Sequence, residues 1–143
     1  MPKSIDVAEY ILKRSGPQFP LKLQSLVYYS QAWSLTWDGR PLFDDEIQAW
    51  PAGPVAPLLY ERYLGQSPVR SVGGDADVIA RDPVAVETID AVLEFYADRD
   101  RQWLYDLTHS EQPWREARGS VLPGDPCERA ISHQSMATYY ASL

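Results

Sequence analysis

Residues 21–37, LKLQSLVYYSQAWSLTW, decide the fold. Large apolar side chains fall at Leu23, Leu26, Val27, Tyr29, Trp33 and Trp37, with the small Ser30 and Ala32 between them, and steps of three and four mark an α-helix. Leu21, Tyr28 and Leu35 lie off that stripe, so the helix is apolar nearly all round and has to be enclosed by several others. Pro20 stands at or beside the first helical position, where a missing N–H costs nothing, and Gly39 supplies the stop. The spacing predicts that Leu26, Val27, Ser30 and Trp33 are buried.

Toward the N-terminus, Ile5, Ala8, Ile11 and Leu12 share a face of a helix over 5–15, capped by Ser4 or Asp6 and ended by Gly16-Pro17, with Glu9 and Lys13 as an i,i+4 charge pair on the other face. Toward the C-terminus, the period in 41–50 is nearer two than 3.6 and predicts a short extended segment. Pro51-Ala52-Gly53-Pro54 forces a turn, and Pro54 is placed to start a helix through Val55, Leu58, Leu59, Arg62 and Tyr63, with Pro57 in its first turn. Residues 66–81 read as a surface loop with a short extended piece at 77–80.

Helical spacing returns over 83–97 behind the cap Asp82, and again after Asp98 or Asp100, where Trp103, Leu104 and Leu107 form one face. Gln112-Pro113-Trp114 opens another helix that ends at Arg118-Gly119. Residues 119–130 are irregular, and Ser132 caps a terminal helix whose Met136, Tyr139 and Tyr140 reach the core. The expected architecture is mainly α: one compact domain over 1–143, with six or seven helices and a small extended or β element after the central helix.

A chain of 143 residues with 45% hydrophobic content suits one domain and needs no disulfide or metal staple, since folding at this length hides roughly two thirds of the extended surface. Its formal charge is −7, and its 13 basic residues are scattered, which leaves no stripe to track phosphates and argues against direct nucleic-acid binding. The single Cys127 excludes an intramolecular disulfide and a cysteine cluster, in keeping with a reducing compartment. No apolar run nears the roughly 20 residues that span a bilayer, and MPKSIDVAEY lacks a leader's apolar core, so a soluble cytoplasmic protein is expected.

Chemistry is sparse. His109-Ser110-Glu111 followed by Pro126-Cys127 outlines the zinc site of nucleobase deaminases, but Ala130 stands where the second cysteine is needed to close the metal's shell. The run Asp44-Asp45-Glu46 reads as a solvated acidic turn, because neighbours in an extended segment point to opposite faces. Glycine-rich phosphate loops and the Gly-x-Ser-x-Gly elbow are missing. No catalytic, cofactor-binding or metal-binding residue is therefore assigned.

Five Trp and nine Tyr are a heavier load than core filling alone usually needs, and such side chains anchor protein interfaces. Trp50, Tyr60, Trp114 and Tyr140, near turns or helix ends, are predicted to be exposed. The partner-binding candidates are Trp50, Gly53, Pro54 and Tyr60, at or near a turn whose backbone entropy is already low, together with His109 and Trp114 at helix ends. A Gly53-Pro54 turn serves equally well to close the fold, with Trp50 in the core.

The ordered set Ile5-Asp6-Val7-Ala8-Glu9-Tyr10-Ile11-Leu12, Leu21 to Trp33, Gly39-Arg40-Pro41-Leu42-Phe43, Ile47, Ala49-Trp50 and Gly53-Pro54-Val55 resembles the Panacea domain of SocA-like antitoxins, a family that takes in phage-associated GepA-like proteins. The resemblance extends more weakly to Leu107-Thr108-His109, Pro113-Trp114 and the 131–140 tail, and departs from the family at Ala52, where members often carry an aromatic or polar residue. It implies an antitoxin that binds and neutralises a cognate protein toxin in a type II toxin-antitoxin system, in some members by handing the toxin to a protease or its adaptor machinery. The alternatives are a phage- or defence-associated interaction protein with no toxin partner and, further off, a hydrolase.

Overall fold

In the computed structural model, which describes residues 1–143, the chain forms α1 (Ser4–Ser15), α2 (Pro20–Trp33) continued by a π-helical turn (Ser34–Asp38), β1 (Gln48–Trp50), β2 (Gly53–Val55), α3 (Pro57–Tyr63), α4 (Ala76–Ala80), α5 (Pro83–Tyr96), α6 (Arg101–Ser110), α7 (Gln112–Arg118) and α8 (His133–Ala141). The mainly α class holds. There are eight α-helices where six or seven were expected, the additional one being the short α4.

α2 is central, packing against α1, α5, α6, α8 and β2. Leu23, Leu26, Val27, Tyr28, Tyr29, Ser30 and Ala32 are all buried, which is what an all-round apolar helix requires. Its two buried glutamines act as pieces of backbone. Gln24 accepts from Ala56 N at 2.9 Å and donates to Ala56 O at 3.2 Å. Gln31 accepts from Leu42 N at 2.7 Å and donates to Phe43 O at 2.9 Å. Two connecting segments without ladder partners are thereby satisfied inside the core.

Trp33 and Trp37 depart from the predicted stripe. Trp33 is half-buried against the core, and Trp37 is 54% exposed, because the wider π turn from Ser34 re-aims the side chains that follow it. The two indoles stack with centroids 4.7 Å apart.

Helix starts follow their caps: Asp82 accepts from Ala85 N, Asp100 from Trp103 N and Ser132 from Ser135 N. At α1 the cap is Lys3, whose N–H donates to Asp6, while Ser4 is bonded instead to Asp45. Glu9 does not pair with Lys13. It is buried, accepting from Val72 N at 2.8 Å and from the Ser71 hydroxyl, and with Asp6, which accepts from Asp75 N, it fixes the 71–75 loop onto α1.

Residues 76–80 are helical rather than extended: Asp75 caps α4 by accepting from Asp77 N, and buried Ala76 and Ile79 seat it on α1. Pro54 does not start a helix either. It lies in β2 opposite Ala49, in an antiparallel pair whose register runs Gln48 to Val55 and Trp50 to Gly53. The far side of β1 is held by residues 129–131, with Ala49 N donating to Arg129 O at 2.9 Å and Ile131 N to Ile47 O at 2.8 Å. β2 is thus the edge, where a residue without an N–H is tolerated, and Pro57 takes the first helical position of α3.

Candidate partner-binding site

The structure brings the six sequence-predicted residues to one place, where the β1–β2 hairpin meets the corner between α6 and α7. Trp114 Nε1 donates to Trp50 O at 2.8 Å, and the His109 ring has Nε2 2.9 Å from Pro51 O and Nδ1 2.7 Å from Tyr105 O. Both neighbours are carbonyl acceptors, and a ring carrying one N–H serves one of them at a time. The imidazole is sandwiched between Tyr105 and Trp114, with centroid separations of 3.8 and 4.2 Å.

Gly53 has φ +127, a conformation nearly closed to side chains, and an added Cβ would lie 3.4 Å from Thr108 Oγ1. Below the hairpin, the buried Arg118 donates to Ala49 O at 2.9 Å, Leu122 O at 2.6 Å and Asp125 O at 2.7 Å, stapling the irregular loop that follows α7 to the sheet.

Accessibility divides the set. Tyr60 is exposed, its ring edge-on to the half-buried Trp50 at 5.0 Å, and His109 is half-buried. Gly53, Pro54 and Trp114 are buried. Trp114 and Tyr140 are therefore not the exposed aromatics the sequence suggested; Tyr140 is 2% exposed, because its hydroxyl reaches Glu111 Oε1 and Tyr28 at the centre of the molecule. Pro54 offers a partner no helix start, since that residue is in a strand.

The exposed aromatic surface lies elsewhere. Trp37 and Phe95 are each 54% exposed and Trp103 37%, flanking a groove between the π turn, α5 and α6. Phe95 carries a signal that sequence reading passed over: it is apolar but off the Ile89, Val92, Tyr96 stripe of its helix.

Glu111, 5% exposed, is reached by the hydroxyls of Tyr29 at 2.6 Å and Tyr140 at 2.8 Å. Burial pushes its carboxyl above the usual range, against the pull of those two donors. Burial pushes the hydroxyls of Tyr28, Tyr29 and Tyr140 strongly upward as well.

The remaining candidates for chemistry are structurally committed. Asp44 pairs with Lys3, and Asp45 accepts from Ser4 N at 2.7 Å, so two of the three turn carboxylates hold the start of α1. Cys127 is buried. No group of three or more His, Cys, Asp or Glu side chains converges in the structure. No helix is long and apolar enough to cross a membrane.

Comparison with known proteins locates the chain. Residues 23–115, from α2 through the hairpin into α7, match the family described as Antitoxin SocA-like, Panacea domain. Antitoxin SocA of Caulobacter vibrioides (strain NA1000 / CB15N) is 34% identical over 74 residues, which is 47% of this chain and 39% of that relative. The similarity thus spans well under half of the relative's length. No solved structure matches significantly.

Proposed function

Since the chain belongs to the family of SocA-like antitoxins with a Panacea domain, we propose that it is the antitoxin of a type II toxin-antitoxin system, neutralising a cognate protein toxin by direct contact in the cytoplasm. The observation that carries this is the family match over 23–115, which takes in all six candidate residues. The geometry is consistent with a binding module rather than an enzyme: both ring nitrogens of His109 face carbonyls, Cys127 is buried, and the acidic turn is bonded to α1. The contact surface proposed is Tyr60 with the accessible parts of Trp50 and His109, held in place by Gly53, Pro54 and Trp114 from beneath.

The test expresses the product of the adjacent reading frame alone and together with this chain. Growth arrest in the first case and restored growth in the second is the expected result; absence of arrest, or arrest that persists, refutes the proposal and favours an interaction protein of phage or defence origin. The toxin's abundance in rescued cells separates two routes: an unchanged level means blocking, and a fall means delivery to a protease.

A further inference from the structure

The groove flanked by Trp37, Phe95 and Trp103 has a volume of about 580 Å³, and Trp33, Tyr96 and Glu111 also line it. Nearly all of that lining is apolar, and Glu111 is its one charged residue. The carboxylate is not there to pair with a cation of this chain, because none of the ion pairs includes it. Its Oε1 is saturated by Tyr29 and Tyr140, whereas Oε2 receives no hydrogen bond. Tyr28 completes the relay, its hydroxyl 2.9 Å from that of Tyr140, so the network rigidly fixes one carboxylate oxygen and leaves the other open.

A carboxylate 5% exposed among aromatic rings is costly to keep unless something compensates it. Aromatic faces attract cations, and the rim already shows this: Arg99 lies 4.6 Å from the Trp103 centroid and 5.2 Å from that of Phe95, outside bonding reach of Glu111. An anion at the floor and π faces on the walls together select a positive group on an apolar stem. Arginine fits better than lysine, because its planar guanidinium stacks on rings and is weakly hydrated. The chain's net charge of −7 favours a basic partner over an acidic one.

We propose that this groove receives an arginine side chain from the protein that the antitoxin neutralises, with Glu111 Oε2 as its counter-ion and Trp33, Trp37 and Trp103 as the stacking walls. The identity of the arginine's owner rests on the antitoxin reading; the cation preference of the groove does not. The groove lies on the opposite side of α6 from the hairpin, since Trp103 and Leu107 line it while Tyr105 and His109 face β1–β2.

The experiment titrates N-acetyl-arginine amide, and separately its neutral analogue N-acetyl-citrulline amide, into the folded protein while following the indole N–H resonances of Trp33, Trp37 and Trp103. Saturable shifts with the arginine probe, about fivefold or more weaker with citrulline, are expected. Glu111→Gln keeps an oxygen for Tyr29 and Tyr140 and removes the charge, so it is expected to retain or raise the melting temperature while erasing the arginine preference. Equal responses to the two probes, or an unchanged preference in the variant, overturn the proposal. If a toxin is neutralised but Glu111→Gln binds it as well as the wild type, the antitoxin reading stands and the groove's assignment to the partner falls.

Discussion

Gln31 shows how much a single polar side chain decides inside this fold. It satisfies Leu42 N and Phe43 O in a region with no ladder, and no hydrophobic residue of similar size can do either. Gln31→Leu strands Leu42 N and Phe43 O, and also Phe43 N, which donates to the same oxygen as Leu42 N at 3.4 Å, so chemical denaturation should report a loss of roughly 2–6 kcal/mol, at about 1–3 kcal/mol for each of the two shorter bonds. Trp33→Ala removes a half-buried ring whose Nε1 donates to Tyr96 at 3.0 Å, and the cost should fall below the roughly 3–5 kcal/mol of a fully enclosed Trp.

Glu111 yields a signed pH prediction. Its carboxyl is raised by burial, so between its unfolded and folded values the native state holds more protons, and stability falls as pH rises through that window. Glu111→Gln removes the slope. The melting temperature of the variant relative to wild type should therefore climb from acidic pH toward neutrality and then level off, and a difference independent of pH would contradict the burial account.

At the scale of elements, the packing of α4 and its preceding loop on α1 is the most sharply testable contact. A Cβ on Gly74 would sit 2.1 Å from Ile5 O, a backbone atom that cannot swing aside. Gly74→Ala should cost about 1–3 kcal/mol or more, with faster amide exchange in α4 and the first turn of α1. An alanine variant as stable as wild type would mean that the loop is not seated there.

This region also shows what sequence could and could not reveal. α2, α5, α6, α7 and α8 were legible because Pro20, Asp82, Asp100, Pro113 and Ser132 punctuate periodic apolar runs, and those signals are local. The helical state of 76–80 and the burial of Glu9 depend on partners far along the chain, respectively α1 and Val72, whereas the strand at Pro54 depends on a hairpin partner five residues back, Ala49, where the proline suggests a helix start. The six candidate residues lie together in the structure, but the sequence tied only Trp50, Gly53, Pro54 and Tyr60 to the turn; the approach of His109 and Trp114 and the burial of Gly53, Pro54 and Trp114 depend on how α6 and α7 pack on the hairpin. Trp50→Ala with Tyr60→Ala tests what remains accessible. Weakened toxin binding at a melting temperature within a few degrees of wild type is expected, and joint loss of fold and binding would make the hairpin purely structural.

At the scale of the whole molecule, one tightly braced core presents two aromatic surfaces on opposite sides of α6, the Trp50–Tyr60 pair and the groove above Glu111. Under the proposed function, both are surfaces for holding another protein. The most direct measurement is calorimetric titration of the purified chain with the purified product of the adjacent reading frame. The account predicts a saturable complex with Kd tighter than about 1 μM, that is, beyond roughly −8 kcal/mol; a toxic product that shows no complex at any accessible concentration would contradict it.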